Sequence, residues 1–500
     1  MLKLLTAQQM READAYTIAS KGISSIDLME AASKAFVQVF TEEYPDRNLS
    51  IAVYCGTGNN GGDGLAIARL LYTAGYDSVQ VVIARFSERT TGDFDINYRR
   101  LAQLPGLALR ELKSASDIQE EPASVIIDAL LGSGLNKPLT DQWKELVAWL
   151  NRQEKTVIAV DVPTGLPSEG PVNKEDTVLK ADLAISFQRP KINFLLPDSA
   201  SHVRDFRVAD IGLDEAFIQK CGGPYYLTEE SDVRSRLKVR ERFSHKGTFG
   251  HALLVAGAPE TMGAALLASR ACLNAGAGLT TACIPSSGLT ALNTAAPEIM
   301  ALLREEPFLQ GSVDWSRYQA VGVGPGLGTG RSGLAALEAV LKSFQKPVVF
   351  DADALNLLAA NYELMQQVPE GSVFTPHLKE FDRLFGKHSN WWSRIETGID
   401  RAATLGCTIV LKNRYTIVFT PEGSCFFNPT GGPSMSTGGM GDVLTGVITS
   451  FIAQGYEPAA AALLGVYVHG AAGDTLRGYV VSPSRLIDEL PLTMERLASA

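Results

Sequence analysis

Two glycine-rich stretches hold the acids and amides best placed to do chemistry. The first, YCGTGNNGGDG (54–64), sets Asn59, Asn60 and Asp63 among Gly56, Gly58, Gly61, Gly62 and Gly64. Glycines let backbone N–H groups approach a phosphate at the start of a helix. Asparagine oxygens suit a hard cation. The plainer reading of this stretch is a tight turn with Asp63 as a helix N-cap. The second stretch, PSMSTGGMGDVLTG (433–446), brings Asp442 behind Gly438, Gly439 and Gly441. Its N–H groups and the helix dipole would cradle an anion. Asp442 then either caps that helix or acts as a base beside a phosphate, taking the proton of an attacking hydroxyl. Two further acids, Asp128 before ALLGSGL and Asp161 before VPTG, either cap loops or extend the first cluster into an oxygen-rich rim.

Other chemistries are excluded by what is missing. Gly56, Gly58 and Gly61 spell G-x-G-x-x-G, but a dinucleotide fingerprint also needs an acid about 20 residues on. The next apolar run, VQVVIARF, ends in Ala84-Arg85-Phe86, so only an NADP-type variant resting on Arg85 survives. No G-x-x-x-x-G-K-[ST] occurs, so neither stretch is a P-loop. The six cysteines are scattered, with no C-x-x-C, which argues against structural zinc and for a reducing cytoplasm. A net charge of −10 argues against nucleic acid or an anionic membrane as partner. No apolar run approaches the roughly 18 residues of a membrane span.

The elements that must position these residues follow from hydrophobic period. Residues 8–40 read as helices. IAVYC (51–55), VQVVIA (79–84), SVIIDALLG (124–132), TVIAVDVPTG (156–165) and ADLAISF (181–187) read as buried strands or strand ends. Between the first two, Ile67, Leu70, Leu71 and Ala74 form one helix face, closed by Gly75. A second series runs from HALLVAG (251–257) through AVGVGPGLGTG (320–330), PVVFDADALN (347–356), GSVFTPH (371–377) and TIVLKN (408–413). Val443, Leu444, Val447, Ile448, Phe451 and Ile452 then form the apolar face of the helix behind Asp442. Strands alternating with helices predict two doubly wound α/β domains. In such sheets ligands bind beyond the carboxyl ends of the strands, where all the candidate residues fall. Two domains with such rims predict two active sites. Asp351, Asp353 and Asn356 are placed to order water or Mg²⁺.

G-G-x-G-D opening a late helix resembles the ribokinase-like kinases, in which that Asp is the base. NNGGDG and STGGMGD in one chain resemble the bifunctional NAD(P)H-hydrate repair family, an epimerase domain fused to an ADP-dependent dehydratase domain. GTGNNGGDGLAIARLL, DALLGSGL, VDVPTGLPSEG, HKGTFGHALLVAG, GPGLG, DADALN, TPHLKE and STGGMGDVLTG carry the resemblance over nearly the whole chain. It implies a Rossmann-like three-layer α/β/α epimerase domain at 1–220, a linker at 221–231 and a ribokinase-like α/β/α dehydratase domain at 228–500. Asn59, Asn60, Gly61, Gly62 and Asp63, with Gly132, Ser133, Gly134, Leu135, Asn136, Lys137 and Pro138, would bind the hydrated coenzyme in the first site. Asp161 would contact its reacting ring as the catalytic acid–base, and Asn60, Asp128 and Thr164 would hold K⁺. In the second site Ala264, Gly326, His377 and the catalytic Asp442 would face the hydrated nicotinamide nucleotide. Lys412, Asn413, Arg414, Tyr415, Thr416 and Gly441 would hold the adenine nucleotide, with Mg²⁺ on its phosphates.

The family often has Gly after this Lys and Pro-Gly after this His. Asn413 tolerates a left-handed backbone almost as well as Gly. The implied substrates are the hydrates of NADH and NADPH with ADP (or ATP), and the implied protein is a cytoplasmic homo-oligomer. A small-molecule kinase and a non-catalytic nucleotide sensor are the rival readings.

Overall fold

The computed structural model describes residues 1–134, 137–304 and 313–499. They divide into two compact units: Lys3–Gly223 with Asn390–Trp392, and Met1–Leu2 with Pro224–Ser389 and Ser393–Ala500.

The first unit is built on a seven-stranded sheet, parallel throughout. Its order is Ala108–Leu112, Val79–Ala84, Ile51–Cys55, Val125–Ala129, Thr156–Val160, Leu183–Phe187, Phe206–Ala209. The central strand Ile51–Cys55 is buried at every position. That is why it reads as an unbroken apolar run rather than an alternating one. Its side chains serve two cores: Ile51, Val53 and Cys55 face one, Ala52 and Tyr54 the other. This makes three layers. Strand order reverses at Ile51–Cys55, which has Val79–Ala84 on one side and Val125–Ala129 on the other. A ligand crevice opens at such a point.

The helix after this strand starts earlier than its apolar face indicates. It spans Asn59–Thr73 with Gly58 at its cap, so Gly61, Gly62 and Gly64 lie in its first turns rather than in a loop. Asp63 is inside the helix and is not its N-cap. The glycines are needed for close approach. A Cβ on Gly61 would stand 1.9 Å from the Gly56 carbonyl oxygen, and one on Gly64 would stand 2.5 Å from the Ala129 Cβ. Gly61→Ala should therefore destabilise this unit by about 3 kcal/mol, the upper end of overpacking costs. Denaturant unfolding would measure it.

Ten strands of the second unit form one sheet. The order is Tyr225–Leu227, Cys425–Phe427, Ile417–Phe419, Thr408–Leu411, Val373–Phe374, Val348–Phe350, Ala320–Val323, His251–Val255, Leu279–Pro285, Met300–Arg304. The run from Thr408–Leu411 to Met300–Arg304 is parallel, and Ile417–Phe419 pairs antiparallel with both its neighbours. Tyr225–Leu227, within the stretch 221–231, pairs with Cys425–Phe427. Order reverses again at His251–Val255, between Leu279–Pro285 and Ala320–Val323. The helix Met440–Ala453 is buried on all sides, not on one face alone. Gly446 lets it press on the helix Met262–Asn274, since a Cβ there would meet the Ala268 carbonyl oxygen at 2.0 Å. No helix among the described residues is long and apolar enough to cross a membrane.

Candidate functional site

At the switch point of the first unit the structure gathers Asn60, Asp63, Asp128, Asp161 and Thr164. Asp128 is the penultimate residue of the strand Val125–Ala129 and is fully buried. Its carboxylate accepts from the Thr164 N–H and hydroxyl, each at 2.7 Å, and from the Leu130 N–H at 3.1 Å. It therefore caps its own loop and ties that loop to Thr164. Burial pushes its pKa up to about 6, against those hydrogen bonds. No basic side chain pairs with Asp128 among the described residues. The Asn60 amide is beside Gly132, where a Cβ would stand 3.1 Å from Asn60 Cγ, and Asn60 Nδ2 is buried without a partner.

Asp161 follows the strand Thr156–Val160 in a left-handed conformation, φ 65°. Its Oδ1 accepts from Phe187 N–H at 2.9 Å and pairs with Lys191 Nζ at 2.5 Å. Asp63 is held well above the usual carboxylate range by burial first and then by Asp161, Asp14 and Asp93. Asn59 is exposed at the helix start. Ser133, Gly134, Lys137 and Pro138 line a cavity of about 500 Å³ with Arg11 and Gly165. Leu135 and Asn136 lie outside the described residues.

In the second unit, Asp442 lies in the first turn of Met440–Ala453, whose cap is Gly439 at φ 95°. The capping reading of Asp442 fails. No side chain caps this helix, and Asp442 makes no ion pair among the described residues. It faces a cavity of about 770 Å³ shared with His377, Lys412, Asn413, Arg414, Thr416 and Gly441. Burial, then the Asp351 carboxylate, lift its pKa to about 7. Lys412 pulls the other way, and Asp353 adds a smaller push upward. A carboxylate poised near neutrality is suited to proton transfer.

Asp351 is the anchor beneath it. Buried at the head of the helix Ala352–Ala360, it accepts from Lys412 Nζ and from the Thr445 hydroxyl, each at 2.8 Å. This holds the Lys412 ammonium over the helix start: a Cβ on Gly441 would stand 3.3 Å from Nζ. Backbone N–H groups, a dipole and a cation thus converge on one anion position. Asn413 and Thr416 close a turn, with Thr416 Oγ1 donating to the Asn413 carbonyl at 3.0 Å. Arg414 caps the Pro429 carbonyl at 3.0 Å and lies 4.7 Å from the Tyr415 ring centroid. His377 caps the helix Leu378–Phe385, its Nδ1 accepting from Lys379 N–H at 3.0 Å.

Two expectations, for Asn413 and Asn356, need correction. Asn413 is not left-handed; the left-handed non-glycine residues among those described are Asp141, Glu154, Asp161, Gln188 and Ala352. Asn356 is held by Arg383 and not by the anion position. Asp353 accepts from the Gly328 N–H at 2.8 Å, so it braces the glycine turn. Gly326 meets Ala264, where a Cβ would stand 2.9 Å from the Ala264 Cβ, but neither lines the cavity of Asp442.

A bifunctional NAD(P)H-hydrate repair enzyme from Moorella thermoacetica is 33% identical over 522 residues, covering 99% of this chain and 97% of the relative. The chain belongs to the bifunctional NAD(P)H-hydrate repair family. The family's Escherichia coli member is 32% identical, covering 96% of this chain and 90% of the relative. Family models described as YjeF-related protein N-terminus and as NAD(P)H-hydrate dehydratase match residues 25–193 and 252–492. Among solved structures, the ADP/ATP-dependent NAD(P)H-hydrate dehydratase of Bacillus subtilis, co-crystallised with ATP and Mg²⁺, is 32% identical with a TM-score of 0.50. It covers 54% of this chain and 98% of that one.

Three polar residues at these sites of the repair-family chain escaped sequence reading. Lys191 follows the end of the strand Leu183–Phe187, so the strand-end rule that marked Asp161 also pointed to it. Asp14 is inside the helix Ala7–Lys21 and looks like any surface acid in the sequence. His469 lines the second cavity, and its Nε2 is buried without a partner; burial lowers its pKa to about 4, so the ring is neutral.

Proposed function

We propose that this chain repairs hydrated nicotinamide coenzymes. Residues 1–220 interconvert the R and S hydrates of NADH and NADPH. Residues 228–500 dehydrate the S form at the expense of ADP, giving AMP and phosphate. The observation that carries the reading is Asp442: an uncapped carboxylate poised near pH 7 at the mouth of a glycine-lined anion pocket, beside Lys412.

Hydroxide is a poor leaving group and phosphate a good one. Asp442 takes the proton of the substrate hydroxyl as its oxygen attacks the terminal phosphoryl group. Lys412 and the N–H groups at Gly441 hold the phosphate oxygens. Phosphate then leaves with the electrons of its carbon–oxygen bond as the ring nitrogen's lone pair forms an iminium, and loss of a proton from the neighbouring ring carbon to the departing phosphate re-forms the double bond. Ala264, Gly326 and His377 are assigned to the substrate, and Lys412 to Thr416 with Gly441 to the nucleotide. Asp351 and Asp353 are the carboxylates assigned to Mg²⁺, which would neutralise phosphate charge when bound. In the first site Asn59 to Asp63, the loop from Gly132 to Pro138 and Asp161 take the substrate. Asn60, Asp128 and Thr164 take K⁺, which would supply fixed positive charge beside the nucleotide. The six free cysteines suit a reducing cytoplasm, and a homo-oligomer is part of the same reading.

The test uses the full chain with both hydrate epimers, Mg²⁺ and either ADP or ATP, following dihydronicotinamide absorbance. Complete recovery with release of free phosphate is expected. An accumulating phosphorylated product would make the protein a small-molecule kinase, and nucleotide binding without turnover would make it a sensor. A pH profile adds an independent check. Asp442 must be ionised to act, so kcat/KM for dehydration should be flat above about pH 7. It should fall about tenfold per pH unit below that value.

A further inference from the structure

The helix behind Asp442 is buried on all sides, yet it carries three buried hydroxyls, Thr445, Thr449 and Ser450. A buried hydroxyl left alone is costly, so each needs a partner. Two of them serve the fold. Thr449 donates back to the Thr445 carbonyl at 2.7 Å, the ordinary bond of a threonine inside a helix. Ser450 accepts from the Ala277 N–H at 2.9 Å. Thr445 differs. A helix carbonyl, that of Gly441, is within its reach at 3.1 Å, but the Asp351 carboxylate is nearer, at 2.8 Å. The hydroxyl has one proton, and a charged acceptor makes the stronger bond. That proton therefore goes to Asp351.

Asp351 divides its two oxygens. Oδ1 takes Lys412 Nζ and Oδ2 takes Thr445, and no other hydrogen bond reaches Oδ2 among the described residues. Without the hydroxyl, a buried charged oxygen would lose its donor and the carboxylate would be free to turn, carrying Lys412 on its other oxygen. Thr445 follows Asp442 by three residues, so the two share a helix face. One face thus presents the carboxylate of Asp442 to the cavity and grips the carboxylate that holds the cation. Thr445 itself is fully buried behind the cavity and is not part of its wall.

We propose that Thr445 is a positioning residue for the dehydration: through Asp351 it fixes Lys412 relative to Asp442, so that the base and the phosphate-holding cation keep their spacing. This rests on the dehydratase reading above. Thr445 touches neither nucleotide nor hydrate, and none of its bonds is made or broken in the reaction. Its effect reaches the phosphate through Lys412 alone, so it falls on the nucleotide and spares the hydrate.

The experiment is steady-state dehydration of the purified S hydrate by the full chain with Mg²⁺, varying ADP and hydrate in turn. If the wild-type protein does not turn over, the dehydratase reading itself fails. Given wild-type turnover, Thr445→Val keeps the shape and loses the donor. It should lower kcat/KM for ADP about tenfold, as for loss of a hydrogen bond to a charged group, with KM for the hydrate unchanged. Thr445→Ser keeps the donor and should restore kcat/KM. Thr449→Val removes an equally buried hydroxyl one turn further on and should leave both constants at their wild-type values. A merely structural role would make the two valine variants behave alike. Should Thr445→Val not fold, Thr445→Ala compared with Thr445→Ser isolates the same hydroxyl. Wild-type kcat/KM for ADP in Thr445→Val, equal losses in Thr445→Ser and its hydroxyl-free counterpart, or the same loss in Thr449→Val would overturn the proposal.

Discussion

Asp442→Asn is expected to slow dehydration of the S hydrate by about a thousand-fold, within the 10²–10⁴ range of general-base contributions. Nucleotide affinity should hold or rise, because the change removes a negative charge beside the phosphate site. The structure makes this substitution unusually clean. Asp442 neither caps its helix nor pairs with a base among the described residues, so the amide replaces the carboxylate without breaking a contact. Stability should move opposite to activity. The folded pKa, about 7, is above the ordinary value of 3.8. Folding therefore favours the protonated form, and ionising Asp442 costs stability progressively from about pH 4 to 7, in full above that. The variant should melt higher than the wild type at pH 8 and match it near pH 4. A dehydration rate within tenfold of wild type would remove Asp442 from the chemistry. It would also leave the glycine pocket with binding as its only role.

Much of this was legible because buried parallel strands announce themselves. VQVVIA (79–84) is the strand Val79–Ala84, since both its faces are covered. The strands missed were at edges or outside the parallel run. Ala108–Leu112 is partly exposed and carries Arg110 and Glu111. Cys425–Phe427 and Ile417–Phe419 are three residues each, too short for a period to show. Helix starts were harder. Glycines read as loop, yet Gly61 and Gly64 are helical, because the requirement there is closeness between backbones and not a turn. Residues at strand ends, such as Asp128 and Asp161, could be singled out by rule. Asp14 could not. It reaches the first site from a distant part of the sequence, and nothing local distinguishes it from Glu12 two residues earlier.

Asp161→Asn should separate the two proposed activities. Asparagine accepts the left-handed backbone at this position, φ 65°, nearly as readily as aspartate does. Its amide oxygen can still receive the Phe187 N–H. What it lacks is the anion opposite Lys191. Epimerisation should fall by about a thousand-fold, as expected for loss of a proton-transfer group. The buried ammonium, deprived of one partner, should also lower the melting temperature of the first unit, since breaking a buried pair costs about 3–5 kcal/mol. Dehydration of pure S hydrate should keep its wild-type rate, because Asp442 and Lys412 belong to the other compact unit. In the mixed-epimer assay, absorbance should climb quickly to the S share and then creep at the spontaneous epimerisation rate. Full recovery at the wild-type rate would clear Asp161 of any role in the chemistry. Equal loss of both reactions would mean the substitution damages the whole chain, and the two sites could no longer be treated as separate machines.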